Sequence, residues 1–69
     1  MSGRELIKVL SKAGFVAVRQ KGSDVFMKHS DGRCTTVPLH DEIKRSTLGR
    51  ILEQASISKE EFLTLFNRI

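Results

Sequence analysis

The stretch Val25-Phe26-Met27-Lys28-His29-Ser30-Asp31-Gly32-Arg33-Cys34-Thr35-Thr36-Val37 decides the fold. Two runs rich in β-branched and apolar residues flank an Asp-Gly pair, the strongest short hairpin signal a sequence carries. Val25 to His29 reads as one strand and Cys34 to Val37 as the next. Pro38 cannot donate a ladder hydrogen bond, so it confines the later run to an edge or an end. A two-residue type I′ turn at Asp31-Gly32 places His29 opposite Cys34, Met27 opposite Thr36 and Phe26 opposite Val37.

Working upstream, Phe15-Val16-Ala17-Val18 starts an earlier strand, and Lys21-Gly22-Ser23 breaks it. A two-residue Lys21-Gly22 loop would set Arg19 opposite Asp24 and Ala17 opposite Phe26. Before that, Ser2 and Glu5 form a capping-box pattern. Leu6, Val9, Leu10 and Ala13 recur at helical spacing, and Gly14 suits the left-handed position that ends a helix. The first helix is expected over about Gly3–Ala13.

Downstream, Asp41 to Arg45 is a charged link. Ser46 or Thr47 is positioned to cap a second helix with Leu48, Ile51, Leu52 and Ala55 on one stripe. Gly49 weakens that helix by about 1 kcal/mol relative to Ala. Ser58 and Glu61 make another capping box, before a short helix with Phe62, Leu65, Phe66 and Ile69. The order is α-β-β-β-α-α over one domain, residues 1–69, of class α+β. A three-stranded antiparallel sheet packs helices on one face and leaves the other to a partner.

Composition narrows the function. Lys and Arg outnumber Asp and Glu by 12 to 8 in 69 residues, a formal charge of +4. That balance favours an anionic partner. Cys34 is the single cysteine, which excludes an intrachain disulfide and fits a reducing cytoplasm. Charges within the first apolar pattern (Arg4, Glu5, Lys8) argue against a signal peptide, and no apolar run reaches membrane-spanning length. His29, His40 and Cys34 match no standard ligand spacing, so no metal or cofactor is expected.

Lys12, Arg19, Lys21, Lys28, Arg33, Lys44, Arg45 and Arg50 are the candidate phosphate contacts. Glycine-rich phosphate loops of the Walker or Rossmann type are absent. Phe15 and Phe26 read as core rather than as platforms for stacked bases. A double-stranded-RNA-like mode, reading shape and 2′-hydroxyls, fits the element order better.

The chain also resembles the HicA, or YcfA-like, family of toxin–antitoxin systems. The matching residues include Glu5-Leu6-Ile7, Ala13-Gly14-Phe15, Arg19-Gln20-Lys21-Gly22-Ser23, Lys28-His29, Asp31-Gly32-Arg33, Thr36-Val37-Pro38-Leu39-His40, Thr47-Leu48 and Ile51-Leu52. The resemblance implies a double-stranded-RNA-binding-domain-like fold and a metal-independent endoribonuclease, an mRNA interferase acting in the cytoplasm in stress responses. It implies mRNA as substrate and a HicB-like antitoxin as partner; the sequence leaves the oligomeric state open, with a monomer expected for the free chain. Gly22 and Ser23 carry over as part of the RNA-binding turn.

The family's catalytic histidine follows Gly-Ser, and here that slot holds Asp24; His29 and His40 match other histidines of the family. Ser46 also departs, standing where the family has glycine. The first substitution has chemical content. A histidine titrates near pH 6.5 and serves as general base or acid at neutral pH, whereas a carboxylate near 3.9 is a weaker base that repels phosphate. The expected outcomes are an enzyme that uses Asp24 with His29 or His40 as acid, an attenuated or inactive toxin, an active toxin altered at its catalytic position to permit expression, or a non-catalytic RNA- or antitoxin-binding module.

Overall fold

A computed structural model describes residues 1–67. The order is α1 (Gly3–Lys12), β1 (Phe15–Lys21), β2 (Asp24–His29), β3 (Cys34–Pro38), α2 (Arg45–Gln54) and α3 (Lys59–Phe66). The strands form one antiparallel sheet in the order β1-β2-β3. This is the α+β, double-stranded-RNA-binding-domain-like architecture expected from the sequence. Ile69, expected on the stripe of the last helix, lies outside the described residues.

Both hairpin registers differ from expectation. Ser30, Asp31 and Gly32 form a three-residue loop: the His29 N–H donates to the Arg33 carbonyl and the Gly32 N–H to the His29 carbonyl. Only Gly32 has positive φ there, at 99°, as in a type I turn closed by a glycine bulge. The Asp31 carboxylate favours this loop by accepting the Arg33 backbone N–H at 3.0 Å. The β2–β3 register therefore moves by one residue. Val25 faces Val37, Phe26 faces Thr36, Met27 faces Thr35 and Lys28 faces Cys34.

The other turn is Gly22-Ser23, not Lys21-Gly22, so Lys21 faces Asp24. Gly22 takes φ 60° at the first central position, the glycine requirement of a type II′ turn. A bulge at Val18 then shifts the ladder, placing Ala17 opposite Met27 and Arg19 opposite Phe26. β1 is longer than its apolar start, because ladder pairing carries the polar Arg19-Gln20-Lys21 tail as strand.

The registers sort the sheet into two faces. Val25, Met27, Thr35 and Val37 point to the core with Phe15, Leu6 and Leu10. Ile43, Ile51, Leu52, Ala55 and Ile57 complete it. Phe26, expected in the core, alternates to the opposite, open face and is half-buried. The α1 capping box forms as expected. α2 does not use Ser46 or Thr47: Lys44 occupies its N-cap with no side-chain bond, because the helix starts one residue before Ser46.

The start of α1 locks the exit of β3. The Gly3 N–H donates to the His40 carbonyl at 2.9 Å, and the Ile43 N–H to the Met1 carbonyl at 2.8 Å. A Cβ on Gly3 would overlap the Pro38 carbonyl oxygen, so α1 and the Pro38-Leu39 backbone fit only with glycine. Gly3→Ala is expected to lower unfolding stability by at least about 2 kcal/mol in urea titration. Gly22→Ala meets open space but strains the left-handed turn position, and should cost about 1 kcal/mol, less than the Gly3 overlap.

Candidate nucleic-acid interface

β2 carries the two most informative side chains at opposite ends and on opposite faces. His29 lies on the core side, opposite Phe15 in the ladder. Its ring packs edge-on against Phe15 with centroids 5.1 Å apart. Nδ1 lies 3.1 Å from both the Asp31 backbone nitrogen and an Asp31 carboxylate oxygen, and Nε2 lies 3.2 Å from the Ala13 carbonyl oxygen. Both ring nitrogens thus hold the fold. The close approach of α1's end needs Gly14 (φ 99°), where a Cβ would come within 2.7 Å of Nε2.

Arg33 belongs to the same cluster. Its Nε donates to Asp31 Oδ2 at 2.7 Å, its Nη1 to the Ala55 carbonyl at 2.6 Å, and its guanidinium lies 5.2 Å from the Phe15 ring centroid. One side chain ties the β2–β3 turn to the end of α2. Of the expected phosphate contacts, Arg33 is thereby engaged within the protein.

Asp24 begins β2 on the open face. It pairs with Lys21 on one side and Pro38 on the other, and the Leu39 N–H donates to the Ser23 carbonyl at 2.6 Å. Asp24 lines a groove of about 230 Å³ with Thr36, Pro38, Thr47, Arg50, Ile51 and Gln54. The groove forms where α2 packs along β3. Its donors are a guanidinium, an amide and two threonine hydroxyls, suited to phosphate and ribose oxygens. His40 is exposed just past β3, two residues beyond Asp24's partner Pro38.

Arg19, Lys21 and Lys28 share the open face, and the Arg19 guanidinium lies 4.8 Å from the Phe26 ring centroid. Gly22 and Ser23 form the turn beside Asp24. Lys12 ends α1, Lys44 caps α2, and Arg45 lines a different groove beside Leu48, Gly49 and Lys59. The structure thus gathers Arg19, Lys21, Lys28 and Asp24 on one face and leaves Lys12, Lys44 and Arg45 elsewhere. Sequence reasoning did not assign Thr36, Thr47 or Gln54 to the site, and it took Arg50 only as one cation among eight. The three-residue hairpin loop was the signal for Thr36, since it alone sets Thr36 beside Phe26 on the open face. Among the described residues, no three His, Cys, Asp or Glu side chains gather as a metal site, and no helix is long and apolar enough to cross a membrane.

The fold and this surface define a small basic α+β domain with one cation-bearing sheet face left uncovered, on which Val16 and Val18 are also exposed. A family profile described as the HicA toxin of bacterial toxin–antitoxin systems matches residues 3–57, and the chain belongs to that family. A solved structure described as a toxin–antitoxin complex from Streptococcus pneumoniae is similar at 33% identity and a TM-score of 0.72. The match covers 83% of this chain and 98% of that one. No curated protein matches the sequence.

The Asp31 cluster has an acid signature. The Arg33 backbone N–H, then its side chain and charge, hold the Asp31 carboxyl below its ordinary value of 3.8. A depressed carboxylate stabilises the fold above its unfolded pKa, and that contribution is lost as pH falls through the folded value. The melting temperature should therefore drop below about pH 4. Asp31→Asn should flatten part of that drop, and Glu5, lowered by the Ser2 N–H and hydroxyl, should supply the remainder.

Proposed function

We propose that the chain is the toxin of a type II toxin–antitoxin pair: an RNA-binding endoribonuclease of the cytoplasm that acts on mRNA and is attenuated by Asp24. The carrying observation is the position of Asp24. By the family resemblance it stands where relatives carry their histidine, and in the fold it is flanked by Lys21 across the hairpin and shares a groove with Arg50 and Gln54. Lys21 and Arg50 hold the phosphate near that slot. Cleavage without metal needs a base for the 2′-hydroxyl proton and an acid for the leaving oxygen. Asp24 takes the base role weakly.

The acid role goes to His40, which is exposed at the same end of the sheet. His29, with both ring nitrogens bonded at the far end of β2, is assigned to structure. An antitoxin partner is supported by the similar pneumococcal structure, which is described as a toxin–antitoxin complex; its place in this reading is the open face, where Lys21 and Lys28 lie. A protein lid there excludes RNA and offsets Lys21 and Lys28 with acidic groups.

The test compares the chain as it stands with Asp24→His for cleavage of mRNA in vitro and for growth arrest. A positioned general base contributes about 10²-fold or more, and Asp24→His should raise cleavage by that factor. His40→Ala in the Asp24→His background should remove most of the gain, while His29→Ala should chiefly lower the melting temperature. Absence of RNA cleavage and growth arrest by both forms would contradict the enzyme reading.

A further inference from the structure

Thr36 and Gln54 line the Asp24 groove and also a second one of about 430 Å³, whose other walls include Val18, Phe26, Lys28 and Cys34. The two grooves adjoin at Thr36 and Gln54 and together form a two-part trough along the open face between Lys28 and Asp24. Its middle is guarded by a residue from outside the sheet. Gln54, at the end of α2, is exposed yet held: the buried Thr35 hydroxyl donates to its Oε1 at 3.0 Å. That bond anchors the amide oxygen. Among the described residues, no acceptor takes the two N–H groups of its Nε2. The Nε2 donors of a side chain anchored at its oxygen are thus available where the two grooves meet.

The floor is built for a flat ligand. Phe26 is half-buried there, with the Arg19 guanidinium 4.8 Å from its centroid. A guanidinium stacked on an aromatic ring presents its outer plane to a base. We propose that the trough takes one unpaired RNA strand, with a base on the Arg19–Phe26 stack and an RNA oxygen or ring nitrogen accepting from Gln54 Nε2. Thr35 is the positioning residue for that amide. The inference rests on the RNA-binding reading above and replaces the duplex mode suggested by the element order.

A duplex fits this surface poorly. Its bases keep their faces stacked inside the helix and cannot reach Phe26. The cations that share a face with Phe26 are Arg19, Lys21 and Lys28, whereas Arg33 is engaged with Asp31 and Ala55 and Arg45 lies on the other side of α2 from Arg50 and Gln54.

The test is fluorescence anisotropy of the full chain with a labelled single-stranded RNA oligomer and with the same sequence as a duplex. The single strand should bind at least about tenfold more tightly. Phe26→Leu and Gln54→Ala should each weaken single-strand binding about tenfold and leave duplex binding unchanged. Thr35→Val should weaken it too, and Thr35→Ser should restore it; melting curves report whether each variant folds. Equal or tighter binding of the duplex would overturn the inference. So would Gln54 variants that lose only affinity for an antitoxin. Loss of RNA in Lys21 and Lys28 variants, with none in Gln54 or Phe26 variants, would overturn this inference alone. Failure of both RNA forms to bind would remove the RNA-binding reading with it.

Discussion

Val25 packs opposite Val37, and Met27 opposite Thr35, with one side of each pair pressed into the helices. Everything on the other side depends on that pairing. Strand side chains alternate, so a slip of one residue would turn one strand's inward set outward. The Ser30–Gly32 loop holds the register at one end and the Ser23–Leu39 hydrogen bond holds it at the other. With the register fixed, Asp24, Phe26, Lys28 and Thr36 must share the open face. The site is thus a by-product of how the core is buried.

The two ends of β2 have separate duties. At the His29 end, Asp31, Arg33, Phe15 and Ala13 close a network that fastens the turn to α1 and α2. That fastening matters at the other end, because α2 carries Thr47, Arg50 and Gln54 to the groove beside Asp24. A change in the Arg33 clamp would reach the groove through the position of α2 rather than through any contact with a ligand. The basic character of the chain divides in the same way: some cations brace the fold and others face the trough.

Much of this was legible in the chain itself. Ser2 and Glu5 announced the first helix, Phe15 to Val18 the first strand, and the Asp31-Gly32 pair the central hairpin, because each rests on local chemistry. Loop length was the point of failure. Asp-Gly suits a two-residue turn and also a three-residue loop with Gly32 in the left-handed position, and the choice depends on which register buries Val37 against Val25. That is a tertiary effect, and it carried Phe26 from the expected core to the open face. The bulge at Val18 was invisible for the same reason. Gln54 gave no local signal: its role comes from a hydroxyl nineteen positions away in sequence. The family resemblance located the slot at Asp24. The groove around it needed the fold.

RNA is proposed to meet this protein in the trough on the open face, from Lys28 across Gln54 to Asp24. Amide chemical-shift mapping with a single-stranded RNA oligomer tests it most directly. The predicted result is a contiguous set of shifted resonances at Arg19, Lys21, Asp24, Phe26, Lys28, Thr36, Arg50 and Gln54, with Leu63 and the Asp31–Arg33 turn unmoved. Shifts centred instead on α3 and the Arg45–Lys59 groove, with the open face unmoved, would contradict it.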